Sequence, residues 1–164
     1  MISQTMQDAI NEQIRAEMYS ANLYLSMSAY FEANNLPGLA NWMRVQFQEE
    51  QSHALKFFDY LFERGGRGVI GALDQPPSDF ESPLDIFQKA YAHEQKVTGL
   101  INKLYELALK ENDYPSQFLL QWYIKEQVEE EKNASTIVEE LKQIGPIQGL
   151  ILHLDHRLGK RGKG

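Results

Sequence analysis

Four long helical stretches cut by sparse breakers constrain this chain more than any other feature. The breaker clusters are Asn34-Asn35-Leu36-Pro37-Gly38, Gly65-Gly66 onward, Ser82-Pro83, Asn112-Asp113-Tyr114-Pro115 and Gly145-Pro146. Between them lie segments near 4–33, 37–64, 83–111 and 115–144, each 28 to 30 residues long. At ~1.5 Å per residue, each helix would run on the order of 40–45 Å. Ser82, Pro83 and Asp85 form a good start signal, with a hydroxyl cap, a proline at the first helical position and an acid in the first turn. Gly65 suits a left-handed stop.

The apolar period agrees. The first stripe reads Ile10, Ile14, Glu17, Ala21, Tyr24, Ser28, Phe31, and the second Leu39, Met43, Gln46, Glu50, Ala54, Phe57, Leu61. The third reads Leu84, Phe87, Tyr91, Glu94, Thr98, Ile101, Tyr105, Ala108, and the fourth Leu120, Tyr123, Gln127, Glu130, Ala134, Ile137, Leu141, Ile144. Alternating steps of three and four are the seam of a helical bundle. The short joints after the first and third helices make each pair antiparallel neighbours. The segment 65–82 could reach about 60 Å if extended, enough to run the bundle's length. The expectation is an all-α four-helix bundle with one long crossover between parallel second and third helices. A short fifth helix over 147–158 would turn Ile147, Leu150, Ile151, Leu154 and Leu158 to one side and dock on the bundle, the whole chain 1–164 forming one domain.

Composition narrows the function. A net charge of −7 argues against nucleic acid as a partner. The basic HRLGKRGKG segment (156–164) reads as a frayed tail. The absence of cysteine excludes disulfides, zinc ribbons, iron–sulfur clusters and thiol catalysis. No basic-then-apolar leader and no run of eighteen apolar residues occurs, so the expected setting is the cytoplasm, with no membrane partner.

Every stripe is interrupted by one acid, Glu17, Glu50, Glu94 or Glu130, at compatible mid-helix depth. A single stripe glutamate is ordinarily a snorkelling surface residue, and a lone His53 a hydrogen-bonded core histidine. Four carboxylates meeting in a low-dielectric interior would repel and protonate. Two divalent cations would balance them, with neutral His53 and Gln127 completing the shell. That donor set suits iron or manganese better than copper or structural zinc, although zinc could compete. Glu50 and His53 at Glu-x-x-His spacing point the same way from one helix, the bundle arrangement of di-iron sites.

The segments NEQIRAEMYSANLYLSMSAYF (11–31), ANWMRVQFQEEQSHA (40–54), HEQKVTGLIN (93–102) and LQWYIKEQVEEE (120–131) together resemble the prokaryotic non-haem ferritins, over essentially the whole chain. The resemblance implies a ferroxidase centre in each subunit of a homo-oligomeric, hollow 24-subunit shell that stores ferric mineral, with O2 or H2O2 as oxidant. It assigns Glu17, Glu50 and His53 to one iron, with Glu50 bridging to a second held by Glu94 and Glu130, and Gln127 nearby. It matches Glu49, Glu126 and Glu129 to a third iron, for which a solvated acidic face is the alternative. Tyr24, one heptad after Glu17, should sit beside the metals, and the family reading makes it a hydrogen-bonding electron donor. Trp122 either assists electron supply or is an interface or core indole.

Departures from related families matter. The fourth helix has Gln127-Val128-Glu129-Glu130 where bacterioferritins and di-iron oxygenases carry a second Glu-x-x-His, and Gln51 stands where bacterioferritin has its haem methionine, so no haem is expected. The acidic pair lining the threefold pore of animal ferritins corresponds to Gln117 and Leu120, leaving the iron entry route open. A DNA-protecting mini-ferritin would carry a basic N-terminal arm, yet the first basic residue is Arg15. A di-iron oxidase or peroxidase is disfavoured by the missing second histidine, and an iron-free helical module would need another partner for four seam acids.

Overall fold

The computed structural model describes residues 1–163, and among them contains helices and no strands. The helices are α1 (Gln4–Ala33), α2 (Pro37–Glu63), α3 (Pro83–Lys110), α4 (Tyr114–Ile144) and α5 (Gln148–Leu158). Their ends follow local chemistry. Ser3, Ser82 and Asp113 side chains accept from the backbone N–H of Met6, Asp85 and Ser116, satisfying donors that a helix start leaves orphaned. At the end of α2, Gly65 takes φ +70°, which lets the Gly66 N–H reach Leu61 O at 2.7 Å and close the last turn.

End contacts define the topology. Ser3 Oγ at the start of α1 donates to Glu111 just past α3 at 2.5 Å, so α1 and α3 are antiparallel. Arg64 at the end of α2 pairs with Asp113 at the start of α4 at 2.8 Å, so α2 and α4 are antiparallel too. With the short α1–α2 and α3–α4 turns, α2 and α3 run parallel, joined by the crossover. That segment lies along α1. Arg67 N donates to Gln7, Asn11 exchanges bonds with Arg67 and Val69, Arg15 Nε donates to Ala72 O, and Ser26 Oγ donates to Pro77 O. Polar side chains of one helix thus replace the backbone partners an extended strand lacks.

The core comes in two parts. One cluster, near the α1–α2 turn, contains Met27, Phe31, Leu39, Met43, Phe87 and Leu141; the other, toward the opposite end, contains Met6, Ile10, Phe57, Leu61, Ile101 and Tyr123. The buried polar residues Glu17, Gln46, Glu50, His53, Glu94, Gln127 and Glu130 lie at intermediate positions along the helices, between these clusters. The apolar core therefore stabilises the fold from both ends and holds the polar layer in place between them.

Two expected faces are corrected. In α3 Leu84, Tyr91, Thr98 and Tyr105 are only half-buried, while Ile86, Ala90, Val97 and Leu104 are buried beside Phe87, Glu94, Ile101 and Ala108. The helix is rotated because it packs against both α1 and α4, which leaves Tyr91 and Tyr105 half-buried. In α5 Leu154 is buried, Ile151 and Leu158 are half-buried, and Ile147 and Leu150 are exposed. The α5 helix is held mainly at its C-terminal half, where Asp155 Oδ1 accepts from the Leu39 backbone N–H at 2.8 Å. The first residues of α2 have no side-chain cap of their own, so α5 caps α2 across the fold.

Gly38 makes that approach possible, because a Cβ there would lie 1.8 Å from the Asp155 carbonyl oxygen. Gly38→Ala should cost about 2–4 kcal/mol through overpacking and loss of the cap. Amide hydrogen exchange should quicken in α5; unchanged α5 protection would contradict the prediction.

The tail does not fray through residue 163. Asn41 Nδ2 donates to the Gly159 and Arg161 carbonyls at 3.3 and 3.0 Å, and Arg161 lies 4.2 Å over the Trp42 ring. The cause is a ring face and free carbonyls brought together by α2 and the tail. Gly164 lies outside the described residues. Among those residues no helix is long and apolar enough to cross a membrane.

Candidate metal centre

Each long helix delivers one carboxylate to the polar layer. Glu17, Glu50, His53, Glu94, Gln127 and Glu130 are all between 1% and 5% exposed. Two ligand groups share a member: Glu17, Glu50 and His53 form one, Glu50, Glu94 and Glu130 the other, with the ligand atoms of each within 4.8 Å of one another. Glu50 therefore stands between two positions that could each hold a cation. A third group joins His53, Glu126 and Glu130.

The acids are oriented by amides and a phenol. Gln13 Nε2 donates to Glu17 Oε1 at 2.9 Å, and Gln46 Nε2 donates to Glu130 at 2.7 Å and to Glu50 at 3.2 Å. Gln127 Nε2 donates to Glu94 Oε2 at 3.1 Å, and the Tyr24 hydroxyl donates to the other Glu94 oxygen. Tyr123 donates to the His53 carbonyl at 2.7 Å, fixing the helix turn that carries the imidazole. Among the described residues, Glu17 Oε2 is the buried side-chain polar atom with no hydrogen-bond partner. An orphaned carboxylate oxygen costs free energy unless something positive meets it.

Electrostatics point the same way. Burial pushes the Glu17 carboxyl well above the usual range, and Glu50 adds to the shift. Burial and the charges of Glu94 and Glu130 do the same to Glu50. Glu94 is raised by burial, and Glu130 is pushed up to about 8 by burial and Glu94. Burial and Glu94 likewise hold the Tyr24 phenol protonated. Crowded acids of this kind bind protons without a metal and cations with one. Oxygen donors with a single imidazole match iron or manganese.

The outer candidates separate. Glu126 is half-buried and its Oε1 lies 3.7 Å from His53 Nε2. Glu49 is paired with Arg161 at 3.0 Å, Glu129 is exposed, and neither joins a ligand group. The Trp122 ring meets His53 edge-on at 5.6 Å, with Lys56 Nζ 3.8 Å over its face. Leu120 is buried in the core cluster far from the α1–α2 turn, where it cannot line an opening, and Gln117 Nε2 is held by the Ala108 carbonyl at 3.1 Å. Sequence reasoning missed Gln13 and Gln46 as site residues. Their signal is spacing, because each stands four residues before a buried acid, one helical turn away.

Comparison with known proteins agrees with this geometry. The Ferritin-like domain family matches residues 7–144. A Bacterial non-heme ferritin of Bacteroides fragilis is 44% identical over 161 residues, covering 98% of this chain and 100% of that protein. Another from Campylobacter jejuni is 43% identical over 145 residues, 88% of this chain and 87% of that protein. A solved structure described as a novel open pore ferritin, from Archaeoglobus fulgidus, superposes with a TM-score of 0.97 at 50% identity, covering 98% of this chain and 99% of that one. With that domain spanning most of its length and a non-heme relative matching it end to end, the chain belongs to the ferritin family, among its prokaryotic non-haem members.

Proposed function

We propose that the chain is an iron-storage ferritin that oxidises Fe(II) at a di-iron centre inside each subunit and deposits ferric mineral within a 24-subunit shell. The observation that carries the reading is Glu50, common to two buried ligand groups that together draw one acid from each of the four long helices. Glu17, Glu50 and His53 hold one ferrous ion, and Glu50, Glu94 and Glu130 the other. Gln127 and Tyr24 keep Glu94 in place through their hydrogen bonds. Two ferrous ions give one electron each to O2, which takes up two protons to leave as H2O2; with H2O2 as oxidant, two more protons yield two waters. Four anionic ligands favour the ferric product over the ferrous substrate. The Gln127-Val128-Glu129-Glu130 run leaves one histidine in the set, a weaker hold suited to releasing product.

Assembly has support on the surface. Val69 and Ile70 on the crossover and Tyr114 and Phe118 on α4 are 56–79% exposed, large apolar groups suited to contact with further copies.

The deciding experiment adds excess ferrous iron aerobically, then measures particle mass and iron per subunit after size exclusion. A shell of roughly 450 kDa with far more than three irons per subunit is expected. A small oligomer with about two irons per subunit would make the protein a di-iron oxidase instead, and no retained iron would reject the metal centre.

A further inference from the structure

The segment after α5 packs on α2 beside the metal centre. Held by Asn41 and turned at Gly162, where φ is +72°, it lays Arg161 on α2. The guanidinium donates to Trp42 O at 3.2 Å, Gln46 Oε1 at 2.8 Å and Glu49 Oε2 at 3.0 Å, with the Trp42 ring beneath it. The Gln46 contact sets the direction of an amide. With Oε1 turned to the arginine, Nε2 faces inward and donates to Glu130 and Glu50. The opposite orientation would set a carbonyl against two carboxylates and an NH2 against a cation. Nη2 donates to both the amide and the acid while Nη1 reaches Trp42 O, a two-nitrogen span that suits arginine rather than lysine.

We propose that Arg161 is a positioning residue of the metal centre, a tethered cation that aims Gln46 at Glu50 and Glu130 and occupies the Glu49 carboxylate. The proposal rests on the di-metal reading of the buried acids. A cation that binds Glu49 competes with the guanidinium on Oε2, so binding there and tail docking oppose each other. Linkage makes this reciprocal: whatever releases the tail strengthens metal binding at Glu49, and metal bound at Glu49 releases the tail. The inner ligand groups do not include Glu49, so this opposition acts only on a cation held outside them.

Co(II) titration of the metal-free protein, followed by its visible spectrum without oxidant, tests this in the wild type, Arg161→Gln, Arg161→Lys and Glu49→Gln/Arg161→Gln. Hydrogen exchange of the tail amides is read in parallel. The wild type should take up two Co(II) per subunit, and a third only weakly, with faster tail exchange as it binds. Arg161→Gln should bind the third at least about tenfold more tightly. The double variant should lose that gain, and Arg161→Lys should fall between. Two Co(II) in the wild type with the same third-site affinity in Arg161→Gln would overturn the role of Arg161 alone, as would third-site binding that leaves tail exchange unchanged. A wild type that binds no Co(II) pair would overturn the di-metal reading and this inference with it.

Discussion

Replacing Glu50 by glutamine is expected to slow ferrous oxidation by about 100-fold or more while making the metal-free protein harder to melt. The two effects have one cause. Glu50 belongs to both ligand groups, so its loss removes a negative ligand from each cation position at once. In the metal-free protein the same carboxylate is buried against the charges of Glu94 and Glu130, which oppose its ionisation. Glutamine keeps the size and an acceptor oxygen for the Gln46 amide while removing that charge. At pH 8 the melting temperature of the metal-free variant should rise by about 3–8 °C. Oxygen consumption and thermal melting read the two sides. An unchanged oxidation rate would remove Glu50 from the centre, and a lower melting temperature would mean that its charge is already compensated.

The metal-free protein should also lose stability as pH rises from about 6.5 to 9. The carboxyls of Glu17, Glu50, Glu94 and Glu130 have folded-state pKa values raised above the ordinary range, and Glu130 reaches about 8. An acid raised on folding contributes stability that is fully present below its unfolded pKa and is lost as pH climbs through the folded one. Below pH 6.5 part of this loss is offset by His93, whose pKa burial and Lys96 depress to about 4. A depressed histidine destabilises the fold at low pH, and the penalty fades as pH passes its unfolded value. Above 6.5 the acids act unopposed. Glu130 by itself contributes about 2 kcal/mol between pH 6.5 and 8, and the deeper acids add to the slope. Urea denaturation with chelator present should show the midpoint falling across this window. Adding Co(II) or Zn(II) should flatten it, because the metal takes the place of the protons. A metal-free midpoint constant or rising with pH would contradict the crowding of the four acids.

Much of this molecule is written locally in its sequence. Breakers and caps bound the long helices, and a three-four apolar period marks their inner faces because helical packing repeats on that period. One acid at mid-depth in each of four stripes is legible for the same reason: a single seam glutamate can snorkel to solvent, but the same depth recurring in all four stripes marks one shared layer. The α3 face was less legible. Its row of tyrosines and Thr98 mimics a seam, and only contact with two neighbours at once decides which side is buried.

What the sequence by itself determined is therefore the set of helices and the layer of acids, both products of short-range periodicity. The tertiary structure decided the rest: that Glu126 joins His53 while Glu129 faces outward, that Gln13 and Gln46 orient the acids, that Asp155 caps α2, and that Arg161 reaches Gln46. The last two contacts join residues 116 and 115 positions apart. No helical period relates such partners; they meet only because the packed bundle returns the end of the chain to the start of its second helix.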